Sequence, residues 1–102
     1  MYPLMLIVTY RAKPGKQNNF LTEVAESGIL ETIRMEDGCL AYQYYQSVED
    51  EACLMLVEKW ATEEQQHTHM EQPHIKLLAE IKARWIDQTS VERIYLEEGD
   101  PK

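Results

Sequence analysis

Several features that would settle a function quickly are scarce in this chain. Two cysteines among 102 residues exclude a disulfide scaffold, which needs a denser, paired set to staple a small domain. The four glycines, at positions 15, 28, 38 and 99, are isolated. No glycine-rich loop is therefore present to cradle the phosphates of a nucleotide or flavin. Four glycines and four prolines also exclude a collagen-like or low-complexity chain. The longest apolar run, Leu4-Met5-Leu6-Ile7-Val8, is far too short for a membrane span or a signal-peptide core. Basic residues are outnumbered 10 to 18, for a net charge of −8. Such a surface disfavours nucleic acid and anionic membranes as partners. There is no Gly-x-Ser-x-Gly elbow for a serine nucleophile. A soluble, cytoplasmic protein is expected.

What is present is an ordinary globular composition, 44% hydrophobic and 27% charged over 102 residues. That length allows one domain, with a core over residues 4–96 and a polar tail over 97–102. A domain this small spends its apolar residues on its core. A deep pocket enclosed by a single chain is not expected.

Residues 4–11 (LMLIVTYR) are apolar and β-branched, as in a strand buried on both faces. Lys13-Pro14-Gly15-Lys16 then turns the chain. Residues 17–36 follow a helical period, with Phe20, Leu21, Val24, Ala25 and Gly28 on one face and a phase shift at Gly28 where a kink is allowed. Asp37-Gly38 stops the helix. Residues 39–47 and 53–60 read as two strands joined by a short polar turn, an antiparallel hairpin. Centring that turn on residue 50 sets Cys39 and Cys53 on the order of 25 Å apart, so both thiols should be free.

Thr62 with Gln65 three residues later marks a helix start. That helix should run to about Glu71, and Pro73 should open another. In the second, His74, Leu77, Leu78, Ile81 and Trp85 form the apolar stripe, with Lys76, Glu80, Lys82 and Arg84 pointing away. Residues 90–96 alternate as a last strand. The order strand, helix, strand, strand, helix, strand is the ferredoxin-like α+β arrangement with an antiparallel sheet. Two helices cover only one face of such a sheet, and no segment is left for the other. A second copy is the simplest cover, and two sheets packed face to face would enclose an apolar space of ligand size.

The densest chemistry lies in residues 60–74, which hold all three histidines. Histidine is the side chain best placed to move protons near neutral pH. No metal is expected. His67 and His69 are two apart and diverge on a helix, and His69 and His74 are five apart across Pro73. Glu58 lies in phase with Leu54, Leu56 and Trp60 on an apolar strand, so its carboxylate is expected to be buried and to need a partner. Tyr10, Arg11 and a histidine are the candidates. Tyr42 and Tyr44 share a strand face.

The run Lys13-Pro14-Gly15, then residues 37–42 (DGCLAY), then Val57-Glu58-Lys59-Trp60, then His69 and Pro73-His74, resembles the antibiotic biosynthesis monooxygenase family, most closely its small quinol-monooxygenase-like members. The resemblance covers residues 4–96. It implies a dimeric α+β barrel with one ferredoxin-like unit per chain. It also implies oxygenation of electron-rich aromatics by O2 without metal, haem or flavin. Trp60, Glu58, His69 and His74 match the family's recurrent polar and aromatic positions. Leu56 stands where the anthrone oxygenases carry Asn, and Val8 and Thr68 stand near where the haem degraders carry Asn and Trp. The resemblance therefore points away from both of those chemistries.

The expectation is a cofactor-independent monooxygenase, a homodimer acting on a small aromatic quinol-like substrate. His69 would be the base and His74 the second choice. Tyr42, Tyr44 and Trp60 would stack on the ring beside Glu58, and Leu6, Leu56 and Val8 would keep the pocket dry. The alternatives are an isomerase of a small hydroxyketone or its phosphate, and a non-catalytic dimeric ligand-binding protein.

Overall fold

A computed structural model describes residues 2–96; the 97–102 tail lies outside them. The chain runs β1 (Leu4–Ala12), α1 (Gln17–Glu26), α2 (Ile29–Arg34), β2 (Cys39–Gln46), β3 (Cys53–Trp60), α3 (Glu63–Met70), α4 (Pro73–Trp85) and β4 (Ile86–Tyr95). The four strands form one antiparallel sheet in the order β2-β3-β1-β4. This is the ferredoxin-like α+β fold, with the helices on one face.

Strand alternation decides what each face holds. Leu4, Leu6, Val8 and Tyr10 of β1, Leu54, Leu56, Glu58 and Trp60 of β3, and Tyr42 of β2 all lie buried. They pack under Phe20, Val24, Ile29, Ile33, Leu78 and Ile81 from the helices. The intervening residues face the other way. On β1 these are Met5 and Ile7, half-buried, followed by exposed Thr9 and Arg11. The strand is thus covered on one face only within a single chain, rather than on both as its apolar run suggests.

Three further expectations are revised. The helical stretch 17–36 is two helices, because Gly28 takes φ +79° between them. Only a residue without Cβ adopts that conformation freely, and the resulting phase shift turns Ile29 and Ile33 into the core. On α4, Leu77 is 41% exposed while Lys82 is half-buried, its ammonium 5.7 Å from the centre of the Tyr10 ring. A lysine can lay its long aliphatic stem on apolar surface, which is how Lys82 joins the stripe despite its charge. Finally, β4 begins at Ile86, directly after α4.

The capping reading of Thr62 is met. Its hydroxyl oxygen accepts the Gln65 N–H at 3.1 Å. Both cysteines are free thiols.

Candidate active site

The site is a polar inclusion between sheet and helices. Strand register places Glu58 between Tyr42 on β2 and Leu6 on β1, and places Leu56 between Tyr44 and Val8. Trp60 ends β3, two residues before the cap that starts α3. On α3 the buried residues are Gln66 and His69, three apart and so on one face. The turn of α3 carrying His69 therefore lies directly over Trp60 and Tyr42. The His69 ring is 4.6 Å from the Trp60 ring and 5.8 Å from the Tyr42 ring, centre to centre.

A chain of polar contacts runs through this inclusion. The Trp60 Nε1–H donates to Glu58 Oε1 at 3.0 Å. His69 Nε2 lies 4.0 Å from the same oxygen, beyond hydrogen-bonding distance. The other ring nitrogen, Nδ1, is 3.0 and 3.2 Å from the two carboxylate oxygens of Glu36. His74 Nε2 is 2.7 Å from Glu36 Oε2. The Tyr44 ring packs edge-on against Phe20 and Tyr42, and its buried hydroxyl has no hydrogen-bond partner among the described residues.

Burial sets the electrostatics. It pushes the Glu58 carboxyl above the ordinary glutamate range, against the downward pull of the Trp60 hydrogen bond and the charges of His69 and Lys82. It pulls the Lys82 ammonium down, with Glu58 opposing. It raises the hydroxyls of Tyr10, Tyr42 and Tyr44, which therefore remain protonated donors at neutral pH. Outside this cluster, on the solvent side of Glu36, is an open cavity of about 320 Å³ lined by Glu36, Asp37, Gln65, Thr68 and Gln72.

Of the residues singled out from the sequence, His69, Trp60, Glu58, Tyr42, Tyr44, Leu56 and Val8 all lie on this helix-covered side, and His74 reaches the cluster through Glu36. A pocket closed by a partner's sheet is not where these groups are. Glu58 and Trp60 are in phase with Leu54 and Leu56, so whatever covers the leucines covers them too. Arg11 is not the partner of Glu58; it pairs with Asp50 at the surface, 2.7 Å away. Two residues escaped sequence reasoning. Glu36 sits in an unremarkable charged stretch 33 and 38 positions from its histidines. Lys82 carried only the signal of a charge beside an apolar stripe.

The fold and site define a class: a ferredoxin-like α+β protein with an imidazole, a raised carboxyl and aromatic rings buried beneath its helices. The chain belongs to the antibiotic biosynthesis monooxygenase family, whose profile matches residues 3–80. Membership supports a monooxygenase-like function on a small molecule. Among solved structures it is similar to PA3566 from Pseudomonas aeruginosa, at 23% identity over 95% of this chain and 96% of that one, with a TM-score of 0.83. A conserved protein from Methanosarcina mazei Go1 matches at 26% identity over 92% of each chain, with a TM-score of 0.80. An antibiotic biosynthesis monooxygenase matches at 24% identity over 89% of this chain and 95% of that one, with a TM-score of 0.76. No curated protein matches. Among the described residues no helix is long and apolar enough to cross a membrane.

Proposed function

We propose that the chain is a cofactor-independent monooxygenase that oxidises a small aromatic quinol-like substrate with O2, using His69 as base. The observation that carries this reading is the placement of His69. One ring nitrogen is anchored on Glu36, the other makes no hydrogen bond among the described residues, and the ring is flanked by Trp60 and Tyr42. A quinol becomes a far better electron donor once its hydroxyl proton is removed. A base in a dry aromatic site supplies that step. The unpartnered Tyr44 hydroxyl is suited to donate to the oxyanion that forms.

The cluster is closed as it stands, so a substrate must displace part of the helical cover. The element suited to that is α3, whose buried residues are both polar. The working unit is proposed to be a homodimer joined through the open sheet face. The test is oxygen uptake by purified protein with a panel of quinols. His69→Ala is expected to lower turnover by roughly 10²–10⁴-fold, the usual contribution of a positioned base. No uptake across the panel, or turnover unchanged in the variant, would overturn the reading.

A second reading rests on Glu58. A carboxyl raised by burial, 4.0 Å from an imidazole, is an acid–base pair able to shuttle a proton between neighbouring carbons of a hydroxyketone. Substrate conversion under strict anaerobiosis would favour it over oxygenation.

A further inference from the structure

We propose that Glu36 is the positioning residue of this site: it fixes the tautomer and orientation of His69, and His74 serves Glu36 rather than acting as a second base. The role of His69 as base rests on the function proposed above; the tautomer does not.

The backbone of Glu36 is held at both ends. Its N–H donates to the Ile33 carbonyl at 3.0 Å, closing the last turn of α2. Its carbonyl accepts the Cys39 N–H at 3.1 Å, opening β2. The carboxylate therefore starts from a fixed point between two elements. Both of its oxygens lie within 3.2 Å of His69 Nδ1. A carboxylate only accepts hydrogen bonds, so the proton of a neutral His69 must sit on Nδ1. The lone pair is then on Nε2, the nitrogen that faces Glu58 and the aromatic rings. An imidazole free in water favours the opposite tautomer. Without Glu36 the Nε2 atom would mostly carry hydrogen and could not accept a proton.

His74 meets the same carboxylate from the first turn of α4, through Nε2 at 2.7 Å. That nitrogen is committed to Glu36 Oε2 and is not available to a substrate. Its donation to Oε2 helps fix the carboxylate and supplies the second hydrogen bond that a largely buried charge needs. Side-chain exposure rises in steps along this chain, 3% at His69, 12% at Glu36 and 19% at His74. The reacting ring is the most buried and its support the most exposed, as expected of a base held by groups behind it.

The test is imidazole ¹⁵N–¹H NMR of the labelled full chain at a pH where the rings are neutral. In the unaltered protein His69 should be the Nδ1–H tautomer. Glu36→Gln should preserve it, because the amide oxygen still accepts. Glu36→Ala should shift His69 to Nε2–H. His74→Ala should leave the His69 tautomer in place. Where a quinol is turned over, Glu36→Ala should lower kcat by about 10²-fold or more with KM little changed, since a base in the wrong tautomer still binds substrate. His74→Ala should cost no more than about tenfold. An Nε2–H tautomer in the unaltered protein, or one unchanged by Glu36→Ala, overturns the proposal. The spectrum of the unaltered chain needs no variant to fold. The tautomer is read without substrate, so failure of the quinol panel and failure of this assignment are separate results.

Discussion

The two faces of the sheet come from the same strands and differ in almost everything else. The covered face holds Leu4, Leu6, Val8, Tyr10, Tyr42, Leu54, Leu56, Glu58 and Trp60 in a buried layer. The open face holds Met5, Ile7, Met55, Val57 and Tyr45, half-buried or exposed within a single chain. The covered face carries the chemistry: a carboxyl raised by burial, imidazoles, three tyrosines and a tryptophan. On the open face the apolar side chains are interspersed with Thr9, Arg11 and Lys59 of the central strands and Glu92 of β4. In this chain the layer that makes the core also makes the candidate site, and the layer free for assembly mixes apolar side chains with solvated polar ones. A small domain can house a reactive cluster because the cluster is part of the packing, with ring faces and a hydrogen-bonded carboxylate filling space that leucines would otherwise fill.

The largest expected effect on the single chain tests whether the two faces really differ in what they stabilise. Leu56 is buried on the covered face and Met55, its neighbour, is 37% exposed on the other. Leu56→Ala should cost about 2–5 kcal/mol by removing buried methyl groups and leaving a cavity. Met55→Ala should cost under about 1 kcal/mol in a single chain. Denaturant unfolding at concentrations low enough to favour monomer measures both. Equal losses would break the distinction between the faces.

Next is Gly38, which ties the covering helices to the sheet. Its φ of +85° is open to glycine and costly for other residues, and an added Cβ would meet the Gln65 side chain 2.0 Å from its Oε1. Gln65 is the partner of the Thr62 cap. Gly38→Ala should therefore lose about 1–3 kcal/mol through strain and a disturbed start to α3. Gly28 has a similar φ of +79° but open space around it. Gly28→Ala should cost only the backbone term, about 1 kcal/mol. Thermal unfolding of the pair separates the two contributions, and identical shifts would remove Gln65 from the account.

Much of this arrangement is legible in the sequence, and the rest fails for definable reasons. Period-two alternation put Glu58 and Trp60 in phase with Leu54 and Leu56, and the Thr62–Gln65 spacing marked the start of α3. Both are local signals. Glu36 joins His69 and His74 only because the end of α2 comes to lie against α3 and α4. No periodicity encodes a contact across 33 positions. Which strand face lines the site is not legible in the sequence, because apolar β1 and β3 suggest two covered faces. The cover of one face comes from this chain's helices, and nothing in a strand's own residues says which. The helical stripe points Lys82 toward solvent, although its stem is as apolar as a leucine.

Glu58 offers a smaller effect of opposite sign. Its carboxyl is raised in the folded state, chiefly by burial. The folded chain therefore holds the proton more tightly than the unfolded chain does. The stability contributed by the neutral form is fully present below the ordinary glutamate range and is lost as pH rises through the raised folded value. At neutral pH the buried charge is a net cost. Glu58→Gln, which can still accept from Trp60 Nε1, should raise Tm at pH 7, with each kcal/mol worth roughly 4–8 °C in a domain of this size. The gain should vanish toward pH 4. A melting-temperature series across pH measures it. A loss of stability at pH 7 would mean that His69 and Lys82 outweigh burial. The same variant should lose any proton-shuttling activity, so stability and function would move in opposite directions on the covered face.

Met55 provides the smallest change to the single chain and the sharpest statement about the open face. A lysine there places a charge in the middle of the apolar layer formed with Met5, Ile7, Val57 and Tyr45. In one isolated chain the side chain is partly solvated and can extend its ammonium into water, so Met55→Lys should leave the far-UV circular dichroism spectrum unchanged. Between two sheets packed through this face, the same charge would be buried twice, once from each copy, at several kcal/mol of interface energy. Sedimentation at micromolar concentration is expected to show about twice the 12.0 kDa chain mass for the unaltered protein and the single-chain mass for the variant. Covered-face variants such as Glu58→Gln should leave the assembly intact. If the unaltered chain sediments as a monomer, or the variant stays dimeric, the open face is not the contact between copies. The division of labour between the faces would then rest on the covered side alone.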